Sequence, residues 1–233
     1  MAILRNKGGI LVGNLGRAST SSPLPIVAAN GWWDDNGNIA SCILAVQPVG
    51  ADDYADSLND LSGVTGAINF ASAPSWTAGS GWTTNQASDA IAGMCPTGGF
   101  SVVWFGTLAD SQTNPGFFSN SAVDFTGLNA HGWDDGAGSF YIGCNADVTP
   151  RYTAVAGGGT ELSIFYTKNG SNQQNLYVDG STVDTVDKAG STQTTTDAII
   201  QTSNGGSCKA VAFYNAELTS SEVSAVATAL AAL

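Results

Sequence analysis

Residues 99–108 read GFSVVWFGTL. Successive side chains of an extended strand point to opposite faces, so Phe100, Val102 and Trp104 share one face and Val103 and Phe105 the other. Both faces are apolar. A strand of this kind must be covered on both sides, which places it in the middle of a layered sheet. The chain has 233 residues, 43% of them hydrophobic, which is enough to supply both covers within one large β-domain. No composition break marks a second domain.

Further strands are expected at NIASCILAV (38–46), GSFYIGC (138–144), ELSIFYTKNG (161–170), QNLYVDG (174–180), STVDTVD (181–187) and CKAVAFYN (208–215). Asp179-Gly180, between two of them, suits a two-residue hairpin turn because glycine accepts positive φ. Strands this short, with no helices alternating between them, point to an all-β sandwich or jelly roll. Charged residues are 11% of the chain, against ~25% in an average globular protein, and Gly, Ser, Thr and Asn fill the gap as turn formers. One helix is expected, at 219–231. Thr219 and Glu222 form a capping box, and Val223, Val226, Ala227 and Leu230 then fall on one face.

Residues 1–33 read as an extended basic arm and 34–233 as the β-sandwich domain. The arm carries Arg5, Lys7 and Arg17 and is rich in Gly, Ser and Pro, and the first acid is Asp34. The remaining four bases face all 19 acids. Such an arm can dock on the acidic body of a neighbouring copy or another acidic surface, or serve as a flexible, solubilising terminus. The net charge of −12 excludes nucleic acid and anionic membranes as partners of the whole chain. No apolar run reaches the ~18 residues of a membrane span. The short apolar start is broken by Gly and Asn and lacks a small-residue cleavage site, so no signal peptide is expected and synthesis is placed in a cytoplasm. Cys42, Cys95, Cys144 and Cys208 have no metal-binding spacing and read as buried thiols, with one or two disulfides as the alternative.

The segment AFYNAELTSSEVSAVATAL (212–230) resembles the final strand and helix of laminin-G-like, concanavalin A-type jelly rolls. LYVDGSTVDTV (176–186) is similar to that family's hairpin. The run from AVQPVGADDYADSLNDLSG (45–63) through SWTAGSGWTTN (75–85) resembles the early part of phage and prophage members. The resemblance covers about residues 40–233 and implies a concanavalin A-like jelly roll with a C-terminal helix. It leaves function open, because the fold serves lectins, glucanases, adhesion modules and virion proteins. The family's calcium-site carboxylates have no counterpart here.

The residues argue against catalysis. A retaining glucanase needs two carboxyls ~5 Å apart. The chain has three glutamates: Glu222 in the helix cap, Glu217 in the turn before it, and Glu161 alone at a strand start. Asp52-Asp53 and Asp134-Asp135 are adjacent, so on a strand they would point to opposite faces. His131 is the single histidine, no G-x-S-x-G elbow accompanies it, and it reads as a surface loop residue. The glycine-rich AGGGTE (156–161) lacks the Lys-Ser/Thr of a phosphate loop. No catalytic residue, no cofactor and no enzymatic activity are therefore expected.

Two related stretches remain, GWWDDNGN (31–38) and GWDDGAGS (132–139). In the second, Trp133 can stack on the C–H face of a sugar while Asp134 and Asp135, beside His131, accept its hydroxyl protons. The same two aspartates can hold calcium. The competing reading is a structural turn, since Asp and Gly are turn residues. In the first, Trp32 and Trp33 read as anchors of the arm on the sandwich or a neighbouring subunit, or as a sugar platform.

The function these features suggest is a non-enzymatic structural virion protein, a bacteriophage capsid decoration or fibre component. It would assemble through its arm with copies of itself and other virion proteins, and would be displayed on the virion surface after synthesis in the host cytoplasm. The alternative is a carbohydrate-binding, lectin-like adhesion module recognising a surface polysaccharide or host glycan. An extracellular filament or surface-layer subunit is a third reading.

Overall fold

The structure is a computed structural model that describes residues 31–35, 37–70, 73–83, 88–91, 98–107, 116–119, 129–134, 139–144, 152–155, 161–171, 173–187, 198–201 and 206–233. In chain order the strands are β1 (Cys42–Val46), β2 (Ser75–Thr77), β3 (Gly81–Thr83), β4 (Ser88–Ile91), β5 (Phe100–Thr107), β6 (Gly116–Ser119) and β7 (Asn129–Asp134). They continue as β8 (Ser139–Cys144), β9 (Tyr152–Val155), β10 (Glu161–Lys168), β11 (Gln173–Val178), β12 (Ser181–Asp187), β13 (Ala198–Gln201) and β14 (Ser207–Tyr214). A single turn of 3-10 helix lies at Asp56–Leu58, and one α-helix, α1 (Ser220–Leu230), follows the last strand. Arg5, Lys7 and Arg17, with the rest of the expected arm up to residue 30, lie outside the described residues.

Eight strands form one antiparallel sheet in the order β12-β11-β10-β5-β14-β3-β2. The eighth, β1, joins the far half of β14, so one edge of β14 serves β3 at Ser207 and Cys208 and β1 at Val211 to Tyr214. The doubly apolar β5 lies mid-sheet, with Trp104 registered against Ile164 on one side and Val211 on the other. Its two faces go to two different cores, as the alternation predicts. Phe100, Val102 and Trp104 join Leu44, Ile164, Tyr166, Leu176 and Phe213. Val103 and Phe105 join Ala45, Phe165, Tyr177, Ala212 and Tyr214 beneath α1. Each large apolar side chain so buried contributes ~1.5–3 kcal/mol.

The helix begins where the capping box places it. Thr219 Oγ1 accepts from the Glu222 amide at 3.3 Å and Glu222 Oε2 accepts from the Thr219 amide at 2.7 Å. Val223, Val226 and Leu230 are buried against the sheet. The chain between β14 and the helix is pinned by Ser101, whose hydroxyl donates to Ala216 O at 3.0 Å and accepts from the Leu218 amide at 2.8 Å.

The free edge of β1 is covered by the 59–66 loop. Asp60 Oδ1 accepts from the Ala45 amide (3.0 Å), the Ser62 amide (2.9 Å) and the Ser62 hydroxyl (2.7 Å), and Oδ2 from the amides of Thr65 (2.8 Å) and Gly66 (3.1 Å). Partial burial pushes the Asp60 carboxyl up, but these hydrogen bonds outweigh it and hold the pKa below the ordinary value. Thr65 adds a bond from its hydroxyl to Ile43 O at 2.6 Å.

The second sheet runs β4-β13-β6-β7-β8-β9, again antiparallel, and is described by its backbone. Its β8 approaches β11 of the first sheet. The whole is an all-β jelly-roll sandwich with one short C-terminal helix.

Candidate functional site

The β11–β12 hairpin turns on Asp179 and Gly180, with φ of 48° and 76°. Positive φ at both central residues defines a type I′ turn, the one whose twist matches the flanking strands. Aspartate is among the residues that enter this region most readily, and here its side chain is held by the neighbouring strand β10. Its Oδ1 accepts from the Ser163 amide at 2.8 Å and the Ser163 hydroxyl at 3.3 Å, while its own amide donates to Ser163 O at 2.9 Å. The turn is thereby locked to β10. Gly180 also lies against the helix: a Cβ there would stand 3.1 Å from Ala227 Cβ and 3.5 Å from Ser224 Cα.

Turn, strand and helix together enclose an open cavity of about 480 Å³. Phe105, Leu162, Ala227 and Ala231 give it apolar walls, and Glu161, Ser163, Asp179, Ser224 and Thr228 bring polar groups to it. The helix sequence SAVATAL explains the space, since small residues on its outward side leave a gap that larger ones would fill. Thr228 Oγ1 donates to Ser224 O at 2.8 Å, so both helix residues are held in place. Glu161 is ion-paired with Lys209, whose Nζ lies 5.8 Å from the centroid of the Phe105 ring. The carboxylates accept hydrogen bonds, the hydroxyls donate or accept, and the alanines offer flat apolar contact. Among the described residues no group of three His, Cys, Asp or Glu comes together to hold a metal.

The residues singled out from the sequence lie elsewhere. Trp32 and Trp33 are buried at 1% and 8% exposure, in the core with Val223, Val226 and Leu230. They pack edge to face, their centroids 5.8 Å apart. The Trp32 indole donates to Gln47 Oε1 at 3.0 Å and the Tyr214 hydroxyl to Trp33 O at 2.8 Å. Neither ring has a free face for a sugar, so the platform reading fails at this stretch.

His131, Trp133 and Asp134 lie on β7, opposite Gly143, Tyr141 and Phe140 of β8 in the ladder. His131 is therefore a strand residue and not a loop residue. Its turn-like sequence, with Gly132 and two aspartates following, hid a strand because neighbouring pairing overrides such weak local preferences. Asp135 and the remainder of GWDDGAGS up to residue 138 lie outside the described residues, as do Cys95 and the AGGGT stretch.

Cys42 and Cys208 are free and buried. Burial pushes the Cys42 thiol up to about 12 and the Cys208 thiol further still, so neither is a thiolate near neutrality.

No protein-family model matches the chain, and no curated sequence matches it. Solved structures do. A Trypanosoma rangeli sialidase in complex with 2,3-difluorosialic acid, a covalent intermediate, superposes with a TM-score of 0.58 at 14% identity, over 81% of this chain and 33% of the sialidase. Botulinum neurotoxin type C, which interacts with two ganglioside molecules, gives 0.52 at 11% identity over 82% of this chain and 51% of the other. The binding domain of botulinum neurotoxin serotype D gives 0.53 at 10% identity, over 81% and 51%. The chain thus spans about a third of the sialidase and half of the toxin chains. At such identity the likeness shows the fold, the β-sandwich of concanavalin A-like, jelly-roll type that the sequence resembles. Nothing in it supports the phage-type variant or a virion role.

The sialidases also correct the expectation that the chain is not an enzyme. That expectation rested on the missing glutamate pair, yet glycoside hydrolysis does not require one, and sialidases work with a tyrosine nucleophile. With enzymes among the structures of this fold, the missing carboxylate pair does not exclude catalysis.

Proposed function

We propose that the chain is a carbohydrate-binding, lectin-like module that recognises a surface glycan, and that the cavity between α1 and β10 receives a sugar unit. The cavity carries the proposal. Its volume of about 480 Å³ falls within the ~300–1,000 Å³ of small-molecule sites. Its lining mixes the two surfaces that a sugar presents. Glu161 and Asp179 accept hydroxyl protons, Ser163, Ser224 and Thr228 extend that polar rim, and Ala227 and Ala231 meet a C–H face. The solved structures support the same reading, since a sialidase and a ganglioside-binding toxin share the fold. On β7, Trp133 is a second place where the chain can meet a glycan.

The experiment is a glycan panel on the full chain, followed by calorimetric titration of the best hits with wild type and a Ser224→Leu/Thr228→Leu variant. Both positions are exposed on the helix, and leucine is the better helix former, so the fold is retained while the cavity is filled. Loss of binding by at least tenfold (~1.4 kcal/mol) at an unchanged or raised melting temperature supports the cavity. A variant that binds like wild type moves the site elsewhere, and a panel with no hit removes the proposal.

A further inference from the structure

The charges around the cavity define which sugars can enter it, given that it is a sugar site. Among the described residues, its lining holds two carboxylates, Glu161 and Asp179, and no basic residue. The nearby Lys209 is already paired with Glu161 and lies toward the Phe105 ring. Among the described residues Asp179 has no cationic partner, and its Oδ1 accepts from the neutral Ser163. Ala231 places the end of α1 at the same cavity, and the last turn carries no basic side chain. The partial negative charge of a helix C-terminus therefore goes unneutralised there. The chain as a whole adds a net −12. Among the described residues, every fixed charge facing the cavity without a counter-charge is thus negative.

We infer that this site selects amino sugars with a free amine and rejects acidic sugars. An ammonium group within reach of Asp179 gains an ion pair and a donor for the helix-end carbonyls. A carboxylate in the same place meets like charge and must shed its hydration with no unpaired cation among the described residues to receive it. The selection runs opposite to the sialic-acid ligand of the sialidase structure that shares the fold. The inference rests on the proposed sugar site, and its test separates the two.

The full chain is titrated with a deacetylated chitosan tetrasaccharide, with its fully N-acetylated counterpart and with sialyllactose, at low and at physiological salt. The expected order is deacetylated first, acetylated weaker by about three- to tenfold, which is the worth of one or two partly exposed ion pairs, and sialyllactose weakest. The gap between the first two narrows with salt. Asp179→Asn keeps an oxygen for the Ser163 bonds and keeps the turn, because Asn also accepts αL geometry, and it should reduce the preference for the amine, read as the ratio of deacetylated to acetylated affinity, by about threefold.

Binding of sialyllactose as tight as that of the amino sugar overturns the inference and leaves the sugar site standing. So does binding of both neutral and amino ligands with no difference. Retention of chitosan binding by Ser224→Leu/Thr228→Leu shows attraction to the acidic surface alone and also overturns it. Failure of all three ligands, together with an empty glycan panel, removes the site itself.

Discussion

Replacing Asp60 by asparagine should destabilise the fold by about 2 kcal/mol near neutrality, and the loss should vanish in acid. The carboxylate ties the 59–66 loop to β1 through both oxygens, accepting at one from Ala45 and Ser62 and at the other from Thr65 and Gly66. Asparagine converts one oxygen into a donor that faces amide donors. Bonds to a charged acceptor contribute ~1.5–3 kcal/mol each when buried. Thr65 and Gly66 are exposed, however, and can turn to water, so a discounted ~1 kcal/mol for each of two lost bonds is appropriate. The sign of the pH dependence follows from the lowered pKa. The contribution is fully present above the unfolded value of ~3.9 and is lost as pH falls through the lower folded value. Urea unfolding followed by tryptophan fluorescence, on wild type and variant, near neutrality and well below that range, measures the gap directly. A gap below ~0.5 kcal/mol at neutrality, the spread of ordinary surface changes, or a gap that persists unchanged in acid, refutes this account of Asp60.

Other consequences are simpler to test. Gly180→Ala puts a Cβ at φ 76° and 3.1 Å from Ala227, which should cost about 1–2 kcal/mol in thermal unfolding. Thr219→Ala removes the helix cap and should cost ~1 kcal/mol, read by the same melts. Cys42 and Cys208 should resist a thiol reagent at mildly alkaline pH until denaturant is added, and a mass shift in the native state would contradict their burial. Trp133→Ala, if β7 meets the glycan, should weaken binding without shifting the melting temperature; a lower melting temperature with unchanged binding assigns the ring to packing.

Sequence and structure meet most closely in the large sheet. The alternation of β5, the Asp179-Gly180 turn and the Thr219–Glu222 box each have a strong local signature, and each forms where expected. The second sheet was harder to read. Only β8 was expected among its strands. The others are four to six residues long, and GFFS, YTAV or AIIQ cannot be told from loop by periodicity over so short a span. The cavity was also hidden. In the sequence Glu161 stands as a lone carboxyl at a strand start and Asp179 as a turn residue, and they come together because the β11–β12 turn folds back onto β10. The available signal was the run of small residues on the outward side of α1, Ser224, Ala227, Thr228 and Ala231, which leaves room that a larger face would close. The two tryptophan-aspartate stretches drew attention by composition, which does not distinguish an exposed ring from a buried one. Trp32 and Trp33 are core.

The most direct test of the central claim is calorimetric titration of the full-length chain, beside its Ser224→Leu/Thr228→Leu variant, with the glycan that scores highest on a panel. Saturable binding by the native chain and its loss in the cavity-filled one, with both proteins equally stable, is the expected result. Equal binding by the two proteins, or none by the native chain to any glycan, contradicts it.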